Sequence, residues 1–293
     1  MPDSILRFED TTMEFDGKVA LHPLNLTVSA GETIVLFGAA GSGKSVLLKL
    51  ALGLLRPSSG RVFLLGRDIT EMKETELFDL RAEVGVLFQE GGLFDSLTIA
   101  DNVSYPLRNQ KCLRVDEDEI GRRVQDTLDF VGLGHTLDKF PSELSGGMRR
   151  RVGIARANVT VPKLLLYDSP TAGLDPITAY TIMALILRQR QRTNSTTLLA
   201  SHRYQDGSMA ANFVWDEGAQ KVVRAAPEGK FADLGTSLLV MHEGHVVFRG
   251  TQEQMEASTD PYVSQFVLKQ LPPIPLNVIP SARQLNELPS NPG

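Results

Sequence analysis

Cysteine is almost absent: Cys112 is the single one in 293 residues. One thiol excludes an intrachain disulfide framework, fits a reducing compartment and reads as incidental. Long apolar runs are missing as well. No stretch of about 18 apolar residues occurs, so no segment is expected to span a membrane. The N-terminus, MPDSILRFED, has no basic region followed by an apolar core, so no secretory signal is expected there. Positive charge is not in excess either. The net charge is −5, which gives no support to a nucleic-acid partner. There is no true repeat and no low-complexity segment. What remains is an ordinary globular composition, 42% apolar and 22% charged. The chain is long enough for one large domain or a domain with a lobe. It is expected in the cytosol, with any membrane role coming through a partner.

Glycine is plentiful, and one cluster of it stands out. Gly38-Ala39-Ala40-Gly41-Ser42-Gly43-Lys44-Ser45 matches G-x-x-x-x-G-K-[ST] at every fixed position. The apolar run at 34–37 leads in as a buried strand. Residues 46–55, rich in Leu and Ala, lead out as a helix that Pro57 stops. Glycines let the backbone wrap closely around a phosphate, and successive N–H groups at a helix start favour the anion. Lys44 is placed to reach β- and γ-phosphates, and the Ser45 hydroxyl to hold Mg²⁺.

Other elements follow from pattern. Short strands are expected at 5–8 and 24–28, flanking a turn at Asp16-Gly17, and at 61–65 and 84–88, the last ending at Gln89. A helix is expected at 71–81. From Gly91 to about Asn158 the chain reads as mostly helical. Ile120, Val124, Leu128 and Val131 recur on one helical face. This stretch reads as a lobe of about 91–158 inserted into an α/β core. Residues 164–167 form an apolar strand ending in Asp168, residues 178–191 a helix, and 196–200 a strand ending at Ser201-His202. A hairpin is expected at 238–241 and 245–248, and a smaller one around Asp216-Glu217-Gly218-Ala219. His22, His135, His242 and His245 lack a comparable setting and read as structural. After Gln270 the chain is a Pro- and Asn-rich tail.

Two further features narrow the chemistry. Asp168, at the end of an apolar strand, suits a Mg²⁺-holding Walker B acid. Leu144-Ser145-Gly146-Gly147-Met148 precedes a basic helical stretch and offers a second anion site at a helix start. One nucleotide does not need two such sites in one chain. With these motifs in this order, the chain resembles the nucleotide-binding subunits of ABC transporters, over nearly its whole length to about Gly250.

That resemblance implies a fold: a P-loop NTPase (RecA-like) α/β core, an N-terminal antiparallel β subdomain and an inserted helical lobe. It implies an ABC ATPase domain at 1–250 and a C-terminal helix and tail at 251–293, while an insertion at about 203–237 departs from the family pattern. It also implies roles. Phe15 resembles the aromatic residue that stacks on adenine. Residues Gly38, Ala39, Ala40, Gly41, Ser42, Gly43, Lys44 and Ser45 form the Walker A loop. Gln89 is the Q-loop glutamine, contacting Mg²⁺ and the attacking water, and Asp175 belongs to the D-loop. His202 is the switch histidine, sensing the γ-phosphate. Ser145, Gly146 and Gly147 belong to the signature motif and act in trans. The implied cofactors are ATP and Mg²⁺, with Ser45, Gln89 and Asp168 at the metal. The implied assembly is a head-to-tail homodimer with a membrane permease docked along residues 89–98, peripheral to the cytoplasmic face of the inner membrane.

One position departs from the family. The glutamate that follows the Walker B aspartate, and serves as general base, is Ser169 here. A serine hydroxyl does not accept a proton as a carboxylate does, so ATP binding with slow hydrolysis is expected. Within the family, residues 87–98, 101–107, 141–151, 174–178 and 260–266 look most like ATPases of MCE-type (Mla-like) lipid transporters. That likeness implies phospholipid movement and an MCE-domain partner. Another ABC importer or exporter, or a nucleotide-gated subunit that does not hydrolyse ATP, stays open.

Overall fold

The computed structural model describes residues 4–89, 91–110, 113–227, 230 and 232–268. The expected tail after Gln270 lies outside these residues. The strands are β1 (Ser4–Phe15), β2 (Lys18–Ser29), β3 (Thr33–Phe37), β4 (Ser59–Leu64), β5 (Arg67–Asp68), β6 (Val84–Leu87), β7 (Leu164–Asp168), β8 (Thr196–Ser201), β9 (Phe213–Asp216), β10 (Lys221–Arg224), β11 (Thr236–His242) and β12 (His245–Gly250). The helices are α1 (Lys44–Ala51), α2 (Glu74–Arg81), α3 (Ile99–Asn109), α4 (Glu117–Phe130), α5 (Gly146–Asn158), α6 (Pro176–Thr193), α7 (Tyr204–Asn212), α8 (Gln252–Glu256) and α9 (Pro261–Leu268).

The central sheet has the order β12-β11-β3-β8-β7-β6. Its strands run parallel from β11 to β6, and β12 closes one edge antiparallel. Every residue of β3 and β8 is buried, as expected of parallel strands covered on both faces. The pleat sends alternate side chains to opposite cores. Val35, Phe37, Leu165, Tyr167, Leu199, Leu238 and Val240 join the core shared with the helices. Ile34, Leu36, Leu164, Leu166, Leu198, Leu239 and Met241 join the other core, built with α1 and the antiparallel sheet β2-β1-β4-β5. The fold is therefore a P-loop NTPase core with an antiparallel β subdomain on one face and a helical lobe on the other.

Local chemistry sets the boundaries. Asp16 and Gly17 both have positive φ (48° and 76°), the conformation of a tight two-residue hairpin. It lets β1 and β2 pair over 12 residues each, well beyond the short strands expected. Helix α1 ends at Ala51, earlier than Pro57 suggested, because Gly53 turns left-handed (φ 61°). Residues 91–98 are not helical: Gly91 and Gly92 sit at positive φ, and the helix starts only where Thr98 accepts the Asp101 N–H. Helix α4 buries Ile120, Val124 and Leu128, and Asp116 caps it by accepting the Glu119 N–H at 2.8 Å. The stretch 203–237 opens with α7, which packs under β3, β8 and β11. The β9–β10 hairpin then seats Trp215 and Val222 on Ala184 and Leu187 of α6.

Candidate functional site

The C-terminal ends of β3, β7 and β8 open on one cleft of about 980 Å³. Ligands of open α/β sheets bind at such strand ends. Residues 38–46, Gln89, Ser169, Ala172 and His202 line it, and residues 203–205 and part of α9 form a further wall.

The glycine loop is held from within. A Cβ at Gly38 would lie 2.5 Å from the Met241 carbonyl oxygen and 2.3 Å from Ser42 Oγ. Only glycine lets the loop start so close to the end of β11. Gly43 is left-handed (φ 104°) and turns the chain into α1. The Lys44 ammonium donates to the carbonyls of Gly38 and Ala39 at 2.8 and 2.9 Å, and to Ser42 Oγ at 3.2 Å. Burial lowers the Lys44 pKa, and Asp168 partly offsets that by attraction. Ser45 Oγ donates to Asp168 Oδ2 at 2.9 Å, joining residues 123 apart in sequence.

The turn after β7 is held from outside. Ser169 has φ 50°, left-handed for a non-glycine residue, a conformation that costs on the order of 1 kcal/mol or more. Three neighbours hold it there. Its N–H donates to the Ala200 carbonyl at 2.9 Å. Its carbonyl accepts from Arg150 Nη1 at 3.0 Å. Its hydroxyl donates to Asp168 Oδ1 at 3.3 Å. Two residues on, Thr171 Oγ1 donates to Asp206 Oδ2 at 2.5 Å, and Ser201 Oγ donates to the same oxygen at 2.6 Å. Asp206 thus ties the turn after β7 to the turn after β8, which carries His202. Its carboxyl is buried, and burial is the main cause of a raised pKa; the two hydroxyl donors, Arg203 and His202 pull the other way.

Among the residues expected at the site, Gly38–Ser45 of the loop, Gln89, Ser169 and His202 share the cleft, with Asp168 bonded to Ser45. Phe15 is not brought in; it stands 41% exposed at the end of β1, beside the hairpin turn. Ser145 caps α5 by accepting the Met148 N–H, and Gly146 and Gly147 follow; all three lie outside the cleft lining. Asp175 caps α6, accepting the N–H groups of Ile177 and Thr178 at 3.0 Å each. Hydrogen bonding by the Thr178 side chain, and then by the Thr178 and Ile177 N–H groups, holds its carboxyl below the usual carboxylate range. Three contributors escaped the sequence reading. Arg150 was read only as part of the basic helical stretch after Met148. Asp206 gave no signal beyond its type, and Tyr262 none beyond its place in the 260–266 stretch, because their contacts form only in the folded chain.

Residues 21–172, more than half of the chain, match the family described as ABC transporter. The chain belongs to the ABC transporter family. It is 36% identical over 256 residues to the probable ribonucleotide transport ATP-binding protein mkl of Mycobacterium tuberculosis, covering 87% of this chain and 64% of that one. It is 38% identical over 232 residues to the methionine import ATP-binding protein MetN of Bifidobacterium longum, covering 77% and 57%. The chain thus spans less than two thirds of the length of these curated relatives. Its fold resembles the dimeric post-hydrolysis state of the ATP-binding cassette MJ0796 bound to ADP and Pi, with TM-score 0.70 and 25% identity, covering 84% and 98%. The ABC motifs therefore sit on the architecture that the family shares. Among the described residues no helix is long and apolar enough to cross a membrane.

Proposed function

We propose that this chain is the ATP-binding subunit of an ABC transporter and works as a head-to-tail pair that closes on ATP and drives a membrane permease. One observation carries the reading: Ser45 and Asp168 meet at 2.9 Å beside Lys44, at the mouth of a glycine loop. That cluster offers N–H groups and an ammonium to phosphates, and hard oxygens to a divalent cation. Ser45 and Asp168 fit Mg²⁺, and Gln89 lies on the same cleft. Mg²⁺ when bound would neutralise charge on the β- and γ-phosphates. Lys44 would exchange its loop carbonyls for phosphate oxygens. His202, exposed at the cleft wall, would contact the γ-phosphate.

The position of Ser145, Gly146 and Gly147 outside the cleft supports their acting on a partner's nucleotide. So does the dimeric state of MJ0796. A permease segment would dock along residues 89–98, on the cytoplasmic face of the membrane. There Phe94 and Tyr105 are exposed and lie 4.7 Å apart, and the Asn102 side chain holds the loop by accepting from Phe94 N–H and donating to the carbonyls of Phe94 and Thr98. Phospholipid as cargo, with an MCE-domain partner, is supported by the likeness of residues 87–98, 101–107 and 141–151 to MCE-type ATPases. Uptake of a small polar solute is the second reading, favoured by the names of mkl and MetN. Flux of labelled phospholipid or methionine through vesicles holding the ATPase and its permease separates the two.

Ser169 bears on rate. Its hydroxyl donates to Asp168 and offers no base for the attacking water. Phosphate release by the purified protein is therefore expected to be slow while ATP binds. Ser169→Glu should raise turnover by about 10²–10⁴-fold, the usual worth of a positioned general base. No gain in that variant would sink the slow-hydrolysis reading, and no ATP binding by either protein would sink the whole proposal.

A further inference from the structure

Helix α9, the last among the described residues, reaches the phosphate loop of its own chain. Asp260 starts α9 by accepting the N–H groups of Tyr262 and Val263 at 2.8 and 3.0 Å. Val263 is fully buried in the helix-side core, and the Phe266 ring lies 6.1 Å from that of Phe37 at the end of β3. Preceding it, Gln252 of α8 donates to the Tyr204 hydroxyl at 2.8 Å and accepts from Asn212 at 2.6 Å. The helix is therefore anchored by packing on both sides.

That anchoring leaves Tyr262 little freedom. Its ring stacks on His242 with centroids 3.7 Å apart and planes 18° from parallel. Its hydroxyl then falls between two backbone groups: it accepts the Ala39 N–H at 3.3 Å and donates to the Met241 carbonyl at 3.3 Å. Ala39 is the second residue of the glycine loop. Met241 is the last residue but one of β11, where Gly38 already passes too closely for any Cβ. Tyr262, Gln265 and Phe266 all face the cleft.

We propose that Tyr262 is a positioning residue for nucleotide binding: α9 closes one wall of the cleft in the same protomer, and the Tyr262 hydroxyl fastens the start of the phosphate loop to β11. The idea rests on the nucleotide reading given above. A loop held in its binding shape before the ligand arrives loses less conformational entropy on binding. The hydroxyl acts through the Ala39 backbone and touches no phosphate. The stacking with His242 sets its direction, so the ring and the hydroxyl have separable roles.

The test uses the full chain as wild type, Tyr262→Phe and Lys44→Ala, with Mg-ATP titrated by calorimetry. The Ala39 amide resonance and the unfolding temperature without nucleotide are recorded alongside. Tyr262→Phe keeps the stacked ring and removes one bridging hydroxyl. The expected result is ATP binding weakened about five-fold, a shifted Ala39 amide and an unchanged unfolding temperature. Unchanged or tighter ATP binding in Tyr262→Phe, with binding still weakened in Lys44→Ala, overturns the positioning role. A parallel fall in unfolding temperature assigns Tyr262 a structural part only and overturns it too. If Lys44→Ala binds ATP as the wild type does, the nucleotide reading itself fails.

Discussion

The loop after β3 and the turn after β7 meet in one cleft, through Ser45 and Asp168, yet they are held by opposite means. The loop is largely self-sufficient. Its glycines permit its path, and its lysine bonds to its own carbonyls and to Ser42. The turn depends on distant groups: Arg150 from α5, the Ala200 carbonyl from β8 and the Asp206 carboxylate from α7. A loop held mainly by its own groups involves few other elements, here the Tyr262 hydroxyl of α9 and the Gly244 N–H. A turn held by three other elements feels any movement among them. That is a physical basis for the turn to respond to any shift of α5, β8 or α7.

The difference can be sharpened by substitution. Lys44→Ala should have the largest effect, and on ligand alone. ATP affinity is expected to fall by about 10- to 100-fold, the worth of a charge-assisted bond, with little change in stability to urea without nucleotide. Burial of the ammonium carries a desolvation cost that lowers its pKa, and removing the side chain relieves that cost. A large loss of stability would break the picture of a self-held loop.

Asp206→Ala should do the reverse. It leaves the Thr171 and Ser201 hydroxyls without their shared acceptor. A loss of about 2–3 kcal/mol in urea unfolding is expected, as for a broken buried polar network. Asp206→Asn adds a pH test. The folded-state pKa of Asp206 is raised above the ordinary 3.8. Its protonated form is thus the one that folding favours. The contribution to stability is full below the ordinary value and is lost as pH rises through the raised one. Across that window the Asn variant should gain on the wild type as pH rises. A difference that stays flat with pH would show that Asp206 titrates as an ordinary carboxyl.

The smallest effect belongs to Asp175→Ala. It removes two N–H acceptors at the start of α6 and should cost about 1 kcal/mol, measured by thermal unfolding. A much larger loss would mean that the turn relies on this cap as well as on its distant partners.

The same contrast explains what was legible beforehand. Gly38 to Ser45 could be read because a phosphate loop is made by consecutive residues, and its strand and helix flank it directly. The buried strands β3, β7 and β8 were visible as apolar runs, and Ser169 was noticed because it stands beside Asp168. Boundaries were less legible: β1 and β2 run far beyond their apolar centres because pairing extends them, and residues 91–98 are not helical because two glycines turn left-handed there. Phe15 was expected against a base and stands exposed outside the cleft lining.

By itself the sequence determined the chemistry that consecutive residues make: a loop for phosphate, an acid at a strand end, a second glycine-rich helix start, and a serine where the family keeps a carboxylate. The tertiary structure alone decided how those pieces are held. Arg150 under Ser169, Asp206 between Thr171 and Ser201, and Tyr262 against Ala39 join residues from 5 to 223 positions apart. Such contacts follow from which faces of the sheet the helices cover. That packing is set by the two cores as wholes, and no short stretch of the chain encodes it.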